Sequence, residues 1–445
     1  MRRIHTLPIV LSLLAPSTAA QDWPHWRGPN YDGSCEVEGL PTSFSKEENV
    51  LWAAPLPGPG ASTPIVVGEC VFFTAIDEEA GVLLAICIDR DTGEERWIDK
   101  AGSGYMPGGV GKSTSIHGRS NYASPSATTD GERVVFCFGN GDLVAYSFDG
   151  ERLWARNVQK DFGDFSYQWT YGASPTIWKG RLFLPVLQRD EPVHELGKEG
   201  AESFLLALDP ENGETLFRHV RPSDAQKESL ESYATPIPYA GEERDELLIV
   251  GGDVITGHDP LTGKELWRWG TWNPGHREVW WRVVPSPVVG AGLALACGPK
   301  GAPVCAVRLG GDGVLKDERI AWKSAGRRDP VTTDVPTPLF HDGDFFVLSD
   351  LRKALTRVDA GTGEQKWSIE LPGRQPWRAS PTGADGRIWF LDHGGNVLVV
   401  DAAGGEIVHT AAMGEEDDDY IRSSIAVAHE SLFIRTNTTL YRIGE

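Results

Sequence analysis

The chain reads as an all-β protein, an eight-bladed β-propeller of four-stranded antiparallel blades. Three observations predict this: a corner that recurs with fixed spacing, a strand-opening mark upstream of each corner, and a last unit that lacks one strand. The corner is clearest at Leu355 to Trp367, where an extended run ends at Asp359, a turn closes on Gly363 and an indole follows four residues later. Asp hydrogen-bonds its own backbone a few residues on and Gly accepts the left-handed conformation, so Asp-x-x-Thr-Gly between apolar runs specifies a strand-turn-strand corner. It recurs at Asp89 to Gly93 with Trp97, Asp209 to Gly213 with Phe217, Asp259 to Gly263 with Trp267, Asp401 to Gly405 with His409, and in short form at Asp149-Gly150 with Trp154.

The second mark is a Ser/Thr-Pro pair before a short apolar strand: Thr63-Pro64, Ser124-Pro125, Ser174-Pro175, Thr235-Pro236, Ser286-Pro287, Thr337-Pro338 and Ser380-Pro381, with Ser423-Ser424 in the eighth place. Successive marks lie 61, 50, 61, 51, 51, 43 and 43 residues apart. Such a period holds four short strands, the second rich in β-branched and aromatic residues as in Val134 to Phe138 and Phe345 to Leu348. A period of this length signals a repeat architecture, and four-stranded units in series close into a ring that protects their edges.

The eighth unit has strands at Ser431 to Thr436 and Thr439 to Ile443 and then stops. Val50-Leu51-Trp52, ahead of the first mark, carries the indole that the last unit lacks. Residues around Leu51 are therefore expected to complete the eighth blade, with Trp52, Trp97, Trp154, Trp267, Trp322 and Trp367 as docking indoles between blades.

Residues 1–20 combine arginines at 2 and 3, an apolar run from Leu7 to Ala15 and small residues to Ala20. This is the pattern of a cleavable secretory signal, too short to span a bilayer. No Cys stands at the cleavage point to take a lipid, and no later run could cross a membrane, so a periplasmic or secreted monomer is expected. Residues 21–49 form an extension dense in Trp and Pro, with Trp23-Pro24-His25-Trp26-Arg27-Gly28-Pro29 expected to cover one face of the ring, and residues 50–445 form the propeller. The 51 Gly and 30 Pro fit dense turns rather than disorder, because 40% of residues are hydrophobic. A formal charge of -21 excludes a nucleic-acid partner, whose phosphates require a cationic surface.

Six cysteines in an exported chain can pair. Cys70 and Cys87 flank one turn and Cys297 and Cys305 another, so these two pairs are the expected bridges. No Cys-x-x-Cys occurs, the histidines are scattered, and no metal site is expected. Gly108 to Thr114 looks like a phosphate loop but has Met106 where the first glycine belongs, and Asp417-Asp418-Asp419 reads as a solvated acidic run.

The mark, the corner and the Trp four residues on resemble the tryptophan-docked repeat of pyrroloquinoline quinone (PQQ) propellers, over about residues 50 to 445. That family contains quinoprotein alcohol dehydrogenases and BamB, the outer-membrane assembly lipoprotein that has the fold without the cofactor. The Trp-Pro-x-Trp-Arg-Gly-Pro opening is similar to exported PQQ-like propellers of planctomycete-type bacteria. The resemblance implies indoles packed between blades. It also implies two functional classes: a non-catalytic binding propeller, or a redox enzyme using PQQ with Ca2+. The enzymes hold their cofactor against adjacent cysteines; this chain has no Cys-Cys pair, and it lacks the lipid-bearing Cys of BamB.

The inter-blade loops before each mark converge on one mouth of the channel. They supply Arg119, Asn121, Tyr122, Tyr171, Tyr233, Arg282, Asp334, Trp377, Arg378 and Arg422, with Trp169 and Tyr420 beside them. Planar guanidinium donors beside flat rings suit a carboxylate-bearing or sugar-like ligand or a protein partner. The first reading is a non-catalytic, cofactor-free propeller that binds such a ligand at the mouth; the alternative is a PQQ-dependent redox enzyme.

Overall fold

A computed structural model describes residues 21–101, 120–270, 272–416 and 418–445. The leader segment 1–20, Arg119, the Gly108 to Thr114 loop and Asp417 lie outside them. Eight antiparallel sheets follow one another along the chain. The sixth shows the pattern: Leu339–His341, Asp344–Ser349, Ala354–Asp359 and Gln365–Glu370, ordered from the axis outward. The second strand is buried at every position, as expected for a strand covered by blades on both faces, and the fourth alternates with exposed residues. Helix among the described residues is confined to Val158–Phe162 and short 3-10 turns. None is long and apolar enough to cross a membrane.

The ring closes as the sequence predicts. Val50–Pro55 pairs antiparallel with Thr439–Ile443, Trp52 opposite Arg442, and so becomes the outer strand of the eighth blade. At the corner of the sixth blade Asp359 Oδ1 accepts the N–H groups of Gly361 and Thr362 (3.1 and 3.0 Å), and Gly363 turns with φ 71°. The same glycine leaves room for the previous blade's indole: a Cβ at Gly363 would stand 2.5 Å from the Trp322 ring. Each docking indole also donates its Nε1–H to a corner carbonyl, Trp52 to Arg90 (2.7 Å), Trp97 to Phe148, Trp154 to Pro210 and Trp322 to Ala360 (2.8 Å each), and Trp367 to Ala402 (3.2 Å). The constant Gly to aromatic spacing is thus one device, a ring laid flat on a Cβ-less turn and pinned by a hydrogen bond.

Trp267 departs from this scheme. The fifth blade has no Asp-x-x-x-Gly corner for it, so Trp267 is fully buried among fourth- and fifth-blade side chains and donates to Glu246 Oε2 at 2.7 Å within its own blade. The segment that replaces the corner sends Gly313–Val314 back along the fourth blade, where it adds a fifth, parallel strand outside Glu265–Trp269. His409 also has no corner to meet; its Nε2 lies 2.7 Å from Phe44 O of the extension.

The six cysteines are free thiols in the structure, so the expected bridges are not formed. Cys297 faces Val304 and Cys305 faces Ala296, and this one-residue offset puts the two side chains on opposite faces of the sheet. Cys70 faces Asp89 and Cys87 faces Phe72; they share a face as diagonal neighbours, with their thiols in hydrogen-bonding contact rather than bridged.

Candidate functional site

At the inner end of seven of the eight blades a Ser or Thr hydroxyl takes the backbone N–H of the blade before it. Thr63 donates to Ser126 Oγ, Ser126 to Ser174, Ser174 to Thr235, Thr235 to Ser286, Ser286 to Thr337 and Thr337 to Ser380, at 2.8 to 3.0 Å; Ser424 N–H donates to Thr63 Oγ1 at 3.0 Å. This polar hoop gives the strand ends around the axis hydrogen-bond partners. It also corrects the second mark. The second blade uses Ser126, not Ser124, and its inner strand Thr128–Thr129 starts two residues past Ser126 as the other inner strands start two past theirs.

The hoop forms part of the wall of a central cup of about 240 Å³. Because strand side chains alternate, the residue two places before each hoop hydroxyl also faces the axis. Read round the ring these are Ala61, Ser124, Gly172, Tyr233, Val284, Val335, Arg378 and Arg422, all of which line the cup. The residues three places before point the other way, into the packing between blades: Tyr171, Val283, Trp377 and Ile421 are each at most 2% exposed.

One end of the cup is closed by the N-terminal extension. Trp23 pairs with Val66, its N–H donating to Val66 O at 2.7 Å and its O accepting at 2.9 Å. His25 Nδ1 lies 2.8 Å from Thr128 Oγ1, and Tyr31 donates to Ile177 O at 2.7 Å. Arg27, fully buried, donates to Pro338 O and Pro381 O at 3.0 Å. Burial lowers the Arg27 guanidinium to about 10, still charged at neutral pH. A Cβ at Gly33 would collide with Arg27 Nη2 at 1.9 Å, and φ there is 92°, so glycine is required. These contacts reach inner strands around the ring and leave Trp26 lining the cup.

The arginines differ in how they are held. Arg282 forms a two-pronged pair with Asp334, 2.9 and 3.0 Å, and Asp334 Oδ1 also accepts Lys300 N–H at 2.9 Å. Burial works against the Asp334 charge, yet the Arg282 hydrogen bonds and charge prevail and hold the carboxyl below its ordinary value. Asp350 accepts Asp334 N–H at 2.9 Å and stands 3.3 Å from Arg378 Nε, with burial raising its carboxyl. Beside Arg282, the Tyr233 hydroxyl donates to Glu231 Oε2 at 2.5 Å; Glu231 is fully buried and ion-paired with Arg189. Burial lifts Glu231 to about 7 against the pull of Arg189.

Of the sequence-predicted mouth residues, Tyr233, Arg282, Arg378, Arg422 and Trp169 line the cup and Asp334 braces Arg282 from behind. Asn121 is a turn former, its Oδ1 accepting Ala123 N–H at 2.6 Å. Tyr122 and Tyr171 line a separate small cleft, Tyr171 stacked on Phe165, and Trp377 packs on Phe390 in the core. The sequence reading missed Trp26 and the hydroxyl hoop as lining. Among the described residues no group of three or more His, Cys, Asp or Glu side chains gathers to hold a metal ion.

The sequence matches the family model described as "Outer membrane protein assembly factor BamB" over residues 45–184 and 314–440. No curated protein matches it. Among solved structures, BamB from Moraxella catarrhalis is similar at 14% identity and TM-score 0.57, covering 92% of this chain and 100% of that one. A quinohemoprotein alcohol dehydrogenase from Comamonas testosteroni is similar at 14% identity and TM-score 0.66, covering 95% and 81%. A europium-containing methanol dehydrogenase is similar at 11% identity and TM-score 0.65, covering 93% and 89%. At these identities the structural likeness speaks for the fold alone. The family match, however, takes in more than half of the chain, and the protein belongs to the BamB-type family of PQQ-like propellers.

Proposed function

We propose that this protein is an exported, monomeric, non-catalytic propeller that binds a small carboxylate-bearing or sugar-like ligand, or such a group on a protein partner, in the central cup. The observation that carries this reading is the polarised wall. Arg378 and Arg422 come from adjacent blades, Tyr233 stands across the axis from Arg422, and Trp26 supplies a flat apolar surface. Guanidinium donors, hydroxyls and an indole are the groups that recognise carboxylates and sugar rings. At about 240 Å³ the cup is smaller than an ordinary drug-sized pocket of roughly 300 to 1,000 Å³, which favours a compact ligand or end group. Export rests on the leader pattern of residues 1–20.

The cup's donor set does not suit PQQ held with calcium. None of the six cysteines lines it, and the carboxylates nearest its arginines, Asp334 and Asp350, are already engaged with Arg282 and Arg378. A thermal-shift panel of uronic acids, neutral sugars and acidic dipeptides, run beside PQQ with Ca2+, tests the assignment, because a ligand that binds only the folded state raises Tm. Arg378→Ala and Arg422→Ala are expected to abolish the shift. Binding unchanged in both variants would overturn the site, and a saturable spectral change with PQQ would overturn the non-catalytic reading.

A further inference from the structure

Outside the cup, the mouth-side shoulder of the sixth blade gathers cations without ion-pair partners. Arg327 and Arg328 come from the loop after Ile320–Lys323, Arg352 and Lys353 from the turn between Asp344–Ser349 and Ala354–Asp359, and Arg374 from the loop after Gln365–Glu370. Arg328, Arg352 and Lys353 line an open groove of about 290 Å³, together with Pro330 and the outer-strand residues Ser368 to Glu370. Among the described residues none of Arg327, Arg328, Arg352 and Arg374 is held in an ion pair, and all four are exposed. Their neighbours differ: Arg357 is paired with Asp344 and Arg378 with Asp350. Glu370 is the one acid lining the groove among the described residues, and the Asp329 carboxylate caps Ala325 N–H and Val331 N–H at 2.9 Å each. Lys353 Nζ reaches the carbonyls of Gly373 and Arg374 at 3.1 and 3.2 Å, which ties the two loops together. In a chain of formal charge -21, cations gathered without partners repel one another and attract an outside anion.

The groove floor is the mouth-side end of the last two strands, Ala354 beside Ser368 to Glu370, and its outer rim is a strand edge. Gln365–Glu370 is the last strand of its sheet and pairs on one side only, with Ala354–Asp359. The fourth blade shows what that edge can accept. There Gly313–Val314 adds in parallel to Glu265–Trp269, Trp267 beside Gly313 and Arg268 beside Val314, and Leu315 N–H donates to Arg268 O at 2.8 Å. An outer strand of this propeller therefore takes a further extended segment without distortion of the ring.

We propose that the outer edge of the sixth blade docks an extended acidic peptide segment of a partner protein as an added strand, its carboxylates paired with Arg328, Arg352 and Lys353 and an apolar side chain set against Ile369. A peptide fits better than another polyanion because the edge offers backbone donors and acceptors in strand register, which is how added strands gain affinity, while the flanking cations select for acidity. The site is separate from the cup and stands whether or not the cup binds a ligand.

The test uses the mature chain and a fluorescein-labelled heptapeptide of alternating glutamate and valine, followed by anisotropy at low and moderate salt. Saturable binding that weakens with salt is expected, with an affinity loss of at least tenfold in Arg328→Ala/Arg352→Ala at unchanged Tm. The same peptide N-methylated at alternate residues keeps its charge but cannot pair with a strand, and is also expected to lose at least tenfold. The proposal is overturned by absence of binding, by a loss under threefold in either arm, or by polygalacturonate or polyphosphate competing as well as the unlabelled peptide.

Discussion

Two positions only two residues apart in each repeat behave in opposite ways. The hoop position is Ser or Thr in all eight blades, and seven of these hydroxyls accept a neighbouring blade's N–H. Two residues earlier, on the same face of the same segment, the eight blades carry Ala, Ser, Gly, Tyr, Val, Val, Arg and Arg. The first position is fixed by what the ring needs to close; the second is free of that demand and differs from blade to blade. In a repeat protein the binding chemistry is therefore found where the copies disagree, and the scaffold where they agree.

That contrast sets the scale of the expected effects. Trp322→Ala removes a docked indole from between two blades and is expected to destabilise by about 3 to 5 kcal/mol, read from urea unfolding. An effect under about 1 kcal/mol would mean that the docking belt is not what holds adjacent blades. Ser286→Ala deletes one hoop acceptor and leaves the Thr235 N–H buried without it, at a cost of about 1 to 3 kcal/mol by the same measurement. A smaller but distinct signature belongs to Glu231. Its folded pKa of about 7 lies above the ordinary 4.5, so between those values the native state holds more protons than the unfolded one. Its contribution therefore makes stability fall as pH rises from about 4.5 to 7, and Glu231→Gln is expected to remove that part of the slope in a Tm-against-pH series. At the bottom of the scale, Arg422→Ala, at a cup position outside the hoop, is expected to change stability by no more than about 0.5 kcal/mol while losing the ligand, whereas Arg378→Ala also strips the buried Asp350 carboxylate of its ion-pair partner and is expected to cost about 1 to 3 kcal/mol. A large loss of stability in Arg422→Ala would move that residue from binding to scaffold.

The fold was legible because its determinants are local. A glycine that must turn with positive φ, an indole four residues on and a Ser/Thr before a strand each mark themselves in sequence, and closure by Val50–Pro55 followed from counting strands. The site was legible in part. Arg378, Arg422 and Tyr233 fell in the cup and Trp377 and Tyr171 did not, since the reading took whole loop ends and ignored the two-residue alternation that sends neighbours to opposite sides. Ser124-Pro125 misled for a related reason: the dipeptide was present, but the strand register followed Ser126. Trp26 lies far from the cup along the chain, and only the extension's contacts with Val66, Thr128, Ile177, Pro338 and Pro381 bring it there. The exception at Trp267 was written in the sequence as a missing Asp-Gly corner in the fifth blade.

The pairing of Val50–Pro55 with Thr439–Ile443 has a consequence for biogenesis. During vectorial synthesis the early strand waits, unmated, while seven sheets form behind it, and its partner is made only after them. A ribosome stalled anywhere short of that point leaves a horseshoe with two sticky ends instead of a clasped circle. Contacts so distant in sequence make the final step slow, and a helper that shields the waiting strand would raise the yield of circles without changing their stability.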